Sequence, residues 1–209
     1  MKDREFYKSF FRLYVVLVLQ NIVTLSVNLA DNIMLGSYGE VSLSGVTSVN
    51  QIQFLYQQLL IAFGDGMVIF CSQYWGKKQF APMKKIIALA MHFGIAIAVI
   101  LFAVISVFPE QAMLCFTSDR QIIEEGVRYL HTIRFTYLFF AVTQMLLAAL
   151  RSTEVAGIAL RLSVMALVVN CGINYVLIFG RFGAPELGVT GAAIGTLTAR
   201  ILECVVLIG

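Results

Sequence analysis

One carboxylate in this chain stands where a carboxylate is expensive. Asp31 closes an otherwise uncharged run that begins after Arg12. At 100° per residue, Gln20, Asn21, Thr24, Asn28 and Asp31 fall on one narrow arc of a helix, while Val23, Leu25, Val27 and Leu29 lie mostly elsewhere. An acid at the end of a polar stripe on an apolar helix cannot face hydrocarbon. It must face other helices or a water-filled cavity, where its chemistry is the binding and release of a cation.

Other polar residues repeat that placement. Ser163, Asn170 and Asn174 share one face of a second apolar run. Counted from Arg161, Asn170 lies ~14 Å and Asn174 ~20 Å along their helix, and Asp31 lies ~28 Å from Arg12, so Asp31 and Asn174 are candidates for one polar pocket in the outer half. Buried amides can equally serve as hydrogen-bonded glue between helices. A third run carries Asn50, Gln53 and Gln57 on one face, with Asp65 about a sixth of a turn away and ~18 Å from Lys77. Asn28, Gln57 and Asp65, with Arg134 on a fourth run, are cavity-lining candidates. Asp65 has a second reading, as an acid paired with a basic residue such as Arg134. Arg134 is itself intramembrane and needs a partner, which Asp31 or Asp65 could supply. A permanent pair with Asp31 would remove that acid from proton chemistry.

The elements that must carry these residues are membrane helices. Of 209 residues, 59% are hydrophobic and 13% charged, with mean hydropathy +0.86. A soluble domain is roughly 25% charged, so half the usual solvating surface is missing. A span needs roughly 20 apolar residues. Joining the two runs around Asp65 predicts six spans, near 10–35, 46–75, 85–108, 123–150, 157–180 and 187–209, in an all-α membrane protein.

The net charge of +3 does not signal nucleic acid, because it is sorted by membrane side. Lys2, Arg4, Lys8, Arg12, Lys77, Lys78, Lys84, Lys85, Arg151 and Arg161 fall on one side of alternating spans. Glu40, Glu110, Asp119, Glu124, Glu125 and Glu186 crowd the other, with Arg120, Arg128 and Arg181. The positive-inside rule then places the N-terminus in the cytoplasm. The first run lacks a small-residue cleavage pattern and carries Asn21, Asn28 and Asp31, so it reads as a retained span. Cys71, Cys115, Cys171 and Cys204 are scattered and read as free apolar thiols. His92 and His131 stand apart. No nucleophile elbow, zinc-binding pair or phosphate loop appears, so no enzyme, cofactor or structural metal is expected.

Five local patterns occur in an order that resembles a known family: LADNIMLGSYG (29–39), SQYWGKK (72–78), ALRSTEVA (149–156), NCGINYVLIFG (170–180) and ELGVTGAAIGTLTAR (186–200). Together they resemble the multidrug and toxic compound extrusion (MATE) transporters over nearly the whole chain. The resemblance implies a twelve-helix antiporter of two six-helix lobes in the cell membrane, exporting small cationic or amphipathic compounds against an inward H⁺ or Na⁺ gradient. Residues 1–209 resemble its N-terminal lobe, and the C-terminal lobe is missing from the sequence.

By the same resemblance, Asp31 matches the first-helix acid used in cation coupling, with a possible Na⁺ beside it, and Asn170 the asparagine next to it. Asn174 stands where some prokaryotic members carry a second acid, which puts a two-acid proton relay in doubt here. Two other classes compete: a lipid-linked oligosaccharide flippase of the same superfamily, and a non-transporting membrane subunit. A flippase cavity would be more basic. Here Asp31 and Asp65 are set against Arg134, which favours cationic cargo.

Overall fold

In a computed structural model, residues 2–153, 155 and 157–208 are described, with side chains at positions 4, 7, 8, 10 and 11 and from residue 14 onward. Glu154 and Ala156 of the ALRSTEVA pattern, Gly209 at the end of the sixth expected span, and the side chains of Lys2 and Arg12 lie outside the described residues.

The described residues form helices and turns: α1 (Lys2–Tyr38), α2 (Glu40–Gly76), α3 (Phe80–Val107), α4 (Pro109–Leu114), α5 (Arg120–Ile133), α6 (Thr136–Ser152), α7 (Gly157–Ile178), a 3₁₀ turn at Arg181–Gly183, and α8 (Val189–Ile208). Five of these helices are long and apolar enough to cross a bilayer, and the bent pair α5–α6 makes a sixth candidate. The chain is therefore an all-helical, multi-pass membrane protein. Many of its large apolar side chains, such as Leu25, Ile100 and Val168, are exposed, as expected where the surrounding solvent is lipid.

Several elements differ from the sequence-based spans. Helices α1 and α2 begin earlier, and each has 37 residues, about 55 Å at 1.5 Å per residue against a hydrocarbon core of about 30 Å. Only Gly39, in extended backbone, separates them. The expected loop 109–122 contains α4, begun by a proline at its first turn.

The largest departure is the fourth span, which is not one helix over 123–150. It bends by 57° between α5 and α6. Neither proline nor glycine occupies the bend. Instead the Thr136 hydroxyl donates to the Ile133 carbonyl at 2.6 Å, and Tyr137 N–H donates to the Arg134 carbonyl. These are tighter three-residue bonds, and they turn the axis. From α2, the Tyr56 hydroxyl donates to the Tyr137 carbonyl at 2.7 Å, so a carbonyl in the first turn of α6 is satisfied from outside its own helix.

Helix α2 packs against α1, α3, α5 and α6, whereas α8 packs against α5, α6 and α7. Helix α1 rests mainly on α7 and less on α2. The α7–α8 seam is close: a Cβ on Gly191 would lie 2.7 Å from the Leu177 carbonyl carbon. Glycine there lets two backbones approach, which is how membrane helices gain packing where no hydrophobic effect drives them together.

Candidate cation and substrate site

Three helices bring their polar residues to one line. Helix α1 supplies Asp31, α7 supplies Asn170 and Asn174 one turn apart, and α8 supplies Thr196. The Asn174 side-chain amide donates to Asp31 Oδ1 at 2.6 Å and to Asn170 Oδ1 at 3.2 Å. Asn170 in turn donates to the Thr196 hydroxyl at 3.1 Å. Both amide hydrogens of Asn174 are thus used. Asn174 is 0% exposed and Asn170 1%; Asp31 is half-buried. Tyr129 of α5 lies against the same group, within reach of Thr196 and of the Asp31 charge.

The Asn174 carbonyl oxygen is buried and has no hydrogen-bond partner. It points at Gly195, where an added Cβ would overlap it. Only glycine leaves room for this amide, which fixes its orientation and keeps its N–H groups toward Asp31. A buried polar atom left unpaired is costly, so the packing that holds it there must compensate.

Two hollows adjoin the chain. One is a cavity of about 60 Å³ bordered by Gln20, Thr24, Asn28, Gln57, Phe140, Gln144, Ser163, Asn170, Thr196, Arg200 and Glu203, among others. The other is a groove of about 430 Å³ between α1 and α2, bordered by Asn28, Asn32, Asn50, Gln51, Gln53 and Gln57, with Thr47 and Phe54. Asn28 and Gln57 border both, so the two hollows meet there. The groove presents amides without a formal charge, and the cavity carries the charges.

Not every candidate from the sequence is in this place. Asp65 lies outside the hydrogen-bonded line that joins Asp31, Asn174, Asn170 and Thr196. It is exposed, and its carboxylate lies 3.4 Å from Arg151 at the end of α6, so the basic partner is Arg151 rather than Arg134. Arg134 reaches neither Asp31 nor Asp65. Its guanidinium lies 5.6 Å from the Phe102 ring centre and 5.2 Å from that of Phe135, at the bend between α5 and α6. There aromatic faces take the place of a counter-ion.

The basic group whose charge acts on Asp31 is Arg200. It pairs within α8 with Glu203, Nη1 to Oε2 at 2.8 Å, and Glu203 is 5% exposed. Neither residue is among the sequence-based candidates. A signal was present: an arginine and a glutamate three residues apart in an apolar run fall on one helix face and can neutralise each other. The charges around the site are therefore Asp31, Glu203 and Arg200, not Asp31, Asp65 and Arg134.

A family model described as MatE matches residues 17–176, three quarters of the chain and most of the helices that build this site. The chain belongs to the MatE family. Among curated relatives, this MatE chain is 26% identical over 189 residues to a probable multidrug resistance protein NorM of Rhizobium meliloti, covering 90% of this chain and 40% of that protein. It is 25% identical over 198 residues to the multidrug resistance protein MdtK of Photorhabdus laumondii, covering 90% and 41%. It thus spans less than half the length of the curated relatives it matches.

Its fold superposes on an outward-facing multidrug resistance MATE family transporter with a TM-score of 0.86 at 17% identity, covering 96% of this chain and 44% of that one. A MOP superfamily transporter from Pyrococcus furiosus, described by a binding pocket of reverse polarity that suggests a different function, superposes at 0.85 and 17% identity, covering 96% and 43%. At such identities the likeness carries the fold and leaves the polarity of the pocket to each chain's own residues.

Proposed function

We propose that this MatE chain acts as the N-terminal lobe of a two-lobed efflux transporter in the cell membrane, with its N-terminus in the cytoplasm. The transporter exchanges cationic or amphipathic compounds for H⁺ or Na⁺ by alternating access. One observation carries the reading: a carboxylate on α1 is held by an amide on α7 that is joined in turn to a hydroxyl on α8. Asp31 then takes up and releases the coupling cation, while Asn174 and Asn170 fix the carboxylate.

The mechanism follows from what the amide can and cannot do. Asn174 donates to Oδ1 whether or not the other carboxylate oxygen carries a proton or lies against Na⁺, so one hydrogen bond keeps the acid in place through the cycle. With an amide in place of a second acid, one charge changes per turnover at this position. Neutralising Asp31 alters what α1 gains by resting on α7, and the lobe's conformational balance shifts by that difference in affinity alone. The amide-lined groove offers hydrogen bonds of either sense to varied molecules, and it leads at Asn28 and Gln57 to the charged cavity.

Among the described residues bordering the cavity, the Arg200 side chain is the feature that favours a flippase for anionic lipid-linked sugars. It is already neutralised by Glu203 at 2.8 Å, so it presents no free positive charge to a pyrophosphate. Cationic cargo is the better fit.

The test is efflux from vesicles holding the full-length protein, with ethidium as cargo and proton and sodium gradients imposed separately. Asp31→Asn should abolish gradient-driven efflux while leaving the protein in the membrane. Undiminished transport by that variant would remove Asp31 from the mechanism. Absence of any substrate-dependent ion movement in the unaltered protein would favour a non-transporting subunit.

A further inference from the structure

The carboxylate of Glu203 is nearly enclosed, yet the chain from Asp31 to Thr196 makes no use of it. What it faces is specific. Arg200 Nη1 lies 2.8 Å from its Oε2, and the same guanidinium lies 4.9 Å from the centre of the Phe140 ring. A buried carboxylate beside an aromatic face is the combination that holds an organic cation: the acid supplies charge, and the ring accepts a positive group without hydrating it. Here the cation in that place belongs to the protein.

The position of Arg200 gives that arrangement a consequence. Arg200, Glu203 and Phe140 border the 60 Å³ cavity together with Asn170 and Thr196, two members of the chain that ends on Asp31. The Arg200 charge also acts on Asp31 and on Tyr129. One guanidinium is therefore seated on Glu203, with its charge acting at longer range on Asp31. Its long side chain is 22% exposed, against 6% for Glu203, so the arginine is the partner with room to leave.

We propose that Glu203 and Phe140 form an organic-cation site in which Arg200 is the resident ligand, displaced towards Asp31 when an external cation arrives. The charge account closes. One organic cation reaches Glu203, Arg200 changes carboxylates, and one coupling cation leaves Asp31. Each event opposes its reverse, so the coupling cation at Asp31 drives Arg200 back onto Glu203 and expels the organic cation. The linkage is reciprocal. The exchange step rests on the transport reading given above; the binding site at Glu203 does not.

The experiment measures binding of benzyltrimethylammonium, a permanent cation that releases no proton, to the full-length protein in nanodiscs. Arg200→Gln vacates the site and should tighten binding about tenfold or more, a coupling within the range common for linked sites. Glu203→Gln should weaken it by a similar factor. Because that variant leaves a buried arginine unpaired, the charge-neutral double variant Arg200→Met/Glu203→Gln serves as a second arm and should bind equally poorly. Asp31→Asn removes the second seat for Arg200 and should weaken binding about tenfold, but only while Arg200 is present.

Unchanged or weaker binding in Arg200→Gln overturns the proposal, as does wild-type binding in the double variant. Either result leaves the transport reading standing if Asp31→Asn still abolishes efflux. Conversely, efflux that survives Asp31→Asn removes the exchange step and spares the site, provided Arg200→Gln tightens binding.

Discussion

Asp31 and Asp65 look alike in the sequence, each a lone acid in a long apolar stretch, and their surroundings separate them. Asp31 is half-buried and held by a neutral amide at 2.6 Å. Asp65 is more than half exposed and sits 3.4 Å from a guanidinium. An amide restrains a carboxylate without neutralising it, so its charge remains available to a visiting cation. An arginine does neutralise it. The kind of donor, rather than depth alone, decides which acid can exchange a cation.

Exchanging each acid for its amide is the sharpest way to break the comparison. Asp31→Asn should abolish gradient-driven ethidium efflux, because intramembrane acids mark ion pathways; an effect no larger than that of Asp65→Asn would erase the distinction. Next in size is Gly195→Ala, whose methyl group meets the Asn174 amide. It should cost about 1–3 kcal/mol in unfolding free energy and reduce efflux with it, and an unshifted thermal midpoint would show that the amide can turn freely.

Asn174→Ala takes the donor from Asp31 and should cost about 1 kcal/mol in stability, read from thermal unfolding in detergent, with weaker coupling to the ion gradient. The smallest effect belongs to Asp65→Asn, worth at most about 1 kcal/mol as an exposed ion pair, with efflux within roughly twofold of wild type. If Asp65→Asn stops transport while the protein stays folded, the arginine-paired acid is the working one.

The polar stripe on α1 and the shared face of Asn170 and Asn174 were legible because helical periodicity fixes which side chains stand together. Five ordered patterns made the family legible. Which side of α1 meets which side of α7 is tertiary information, so periodicity could offer Asp31 and Asn174 as neighbours without naming the bond between them. The partners of Asp65 and Arg134 escaped for a similar reason, since several charges lay at compatible depth and only packing selects among them. The bend at residues 134–135 carries neither proline nor glycine; the short-range bonds of Thr136 and Tyr137 produce it, and apolar run length is blind to both. The Arg200–Glu203 pair is legible in its three-residue spacing on one helix face, whereas the Phe140 ring that the arginine meets is set by packing.

The bend has a mechanical meaning for the lobe. One crossing of the membrane is divided into two rods that share a joint, with Tyr129 on one rod beside Thr196 and Phe140 on the other beside Arg200. Tyr56 fastens the second rod to α2 just past the joint. A small change of angle there would move the aromatic wall of the cavity against the polar one, with no helix sliding along its length. The fourth crossing is thus built as an elbow, and the pocket lies in its crook.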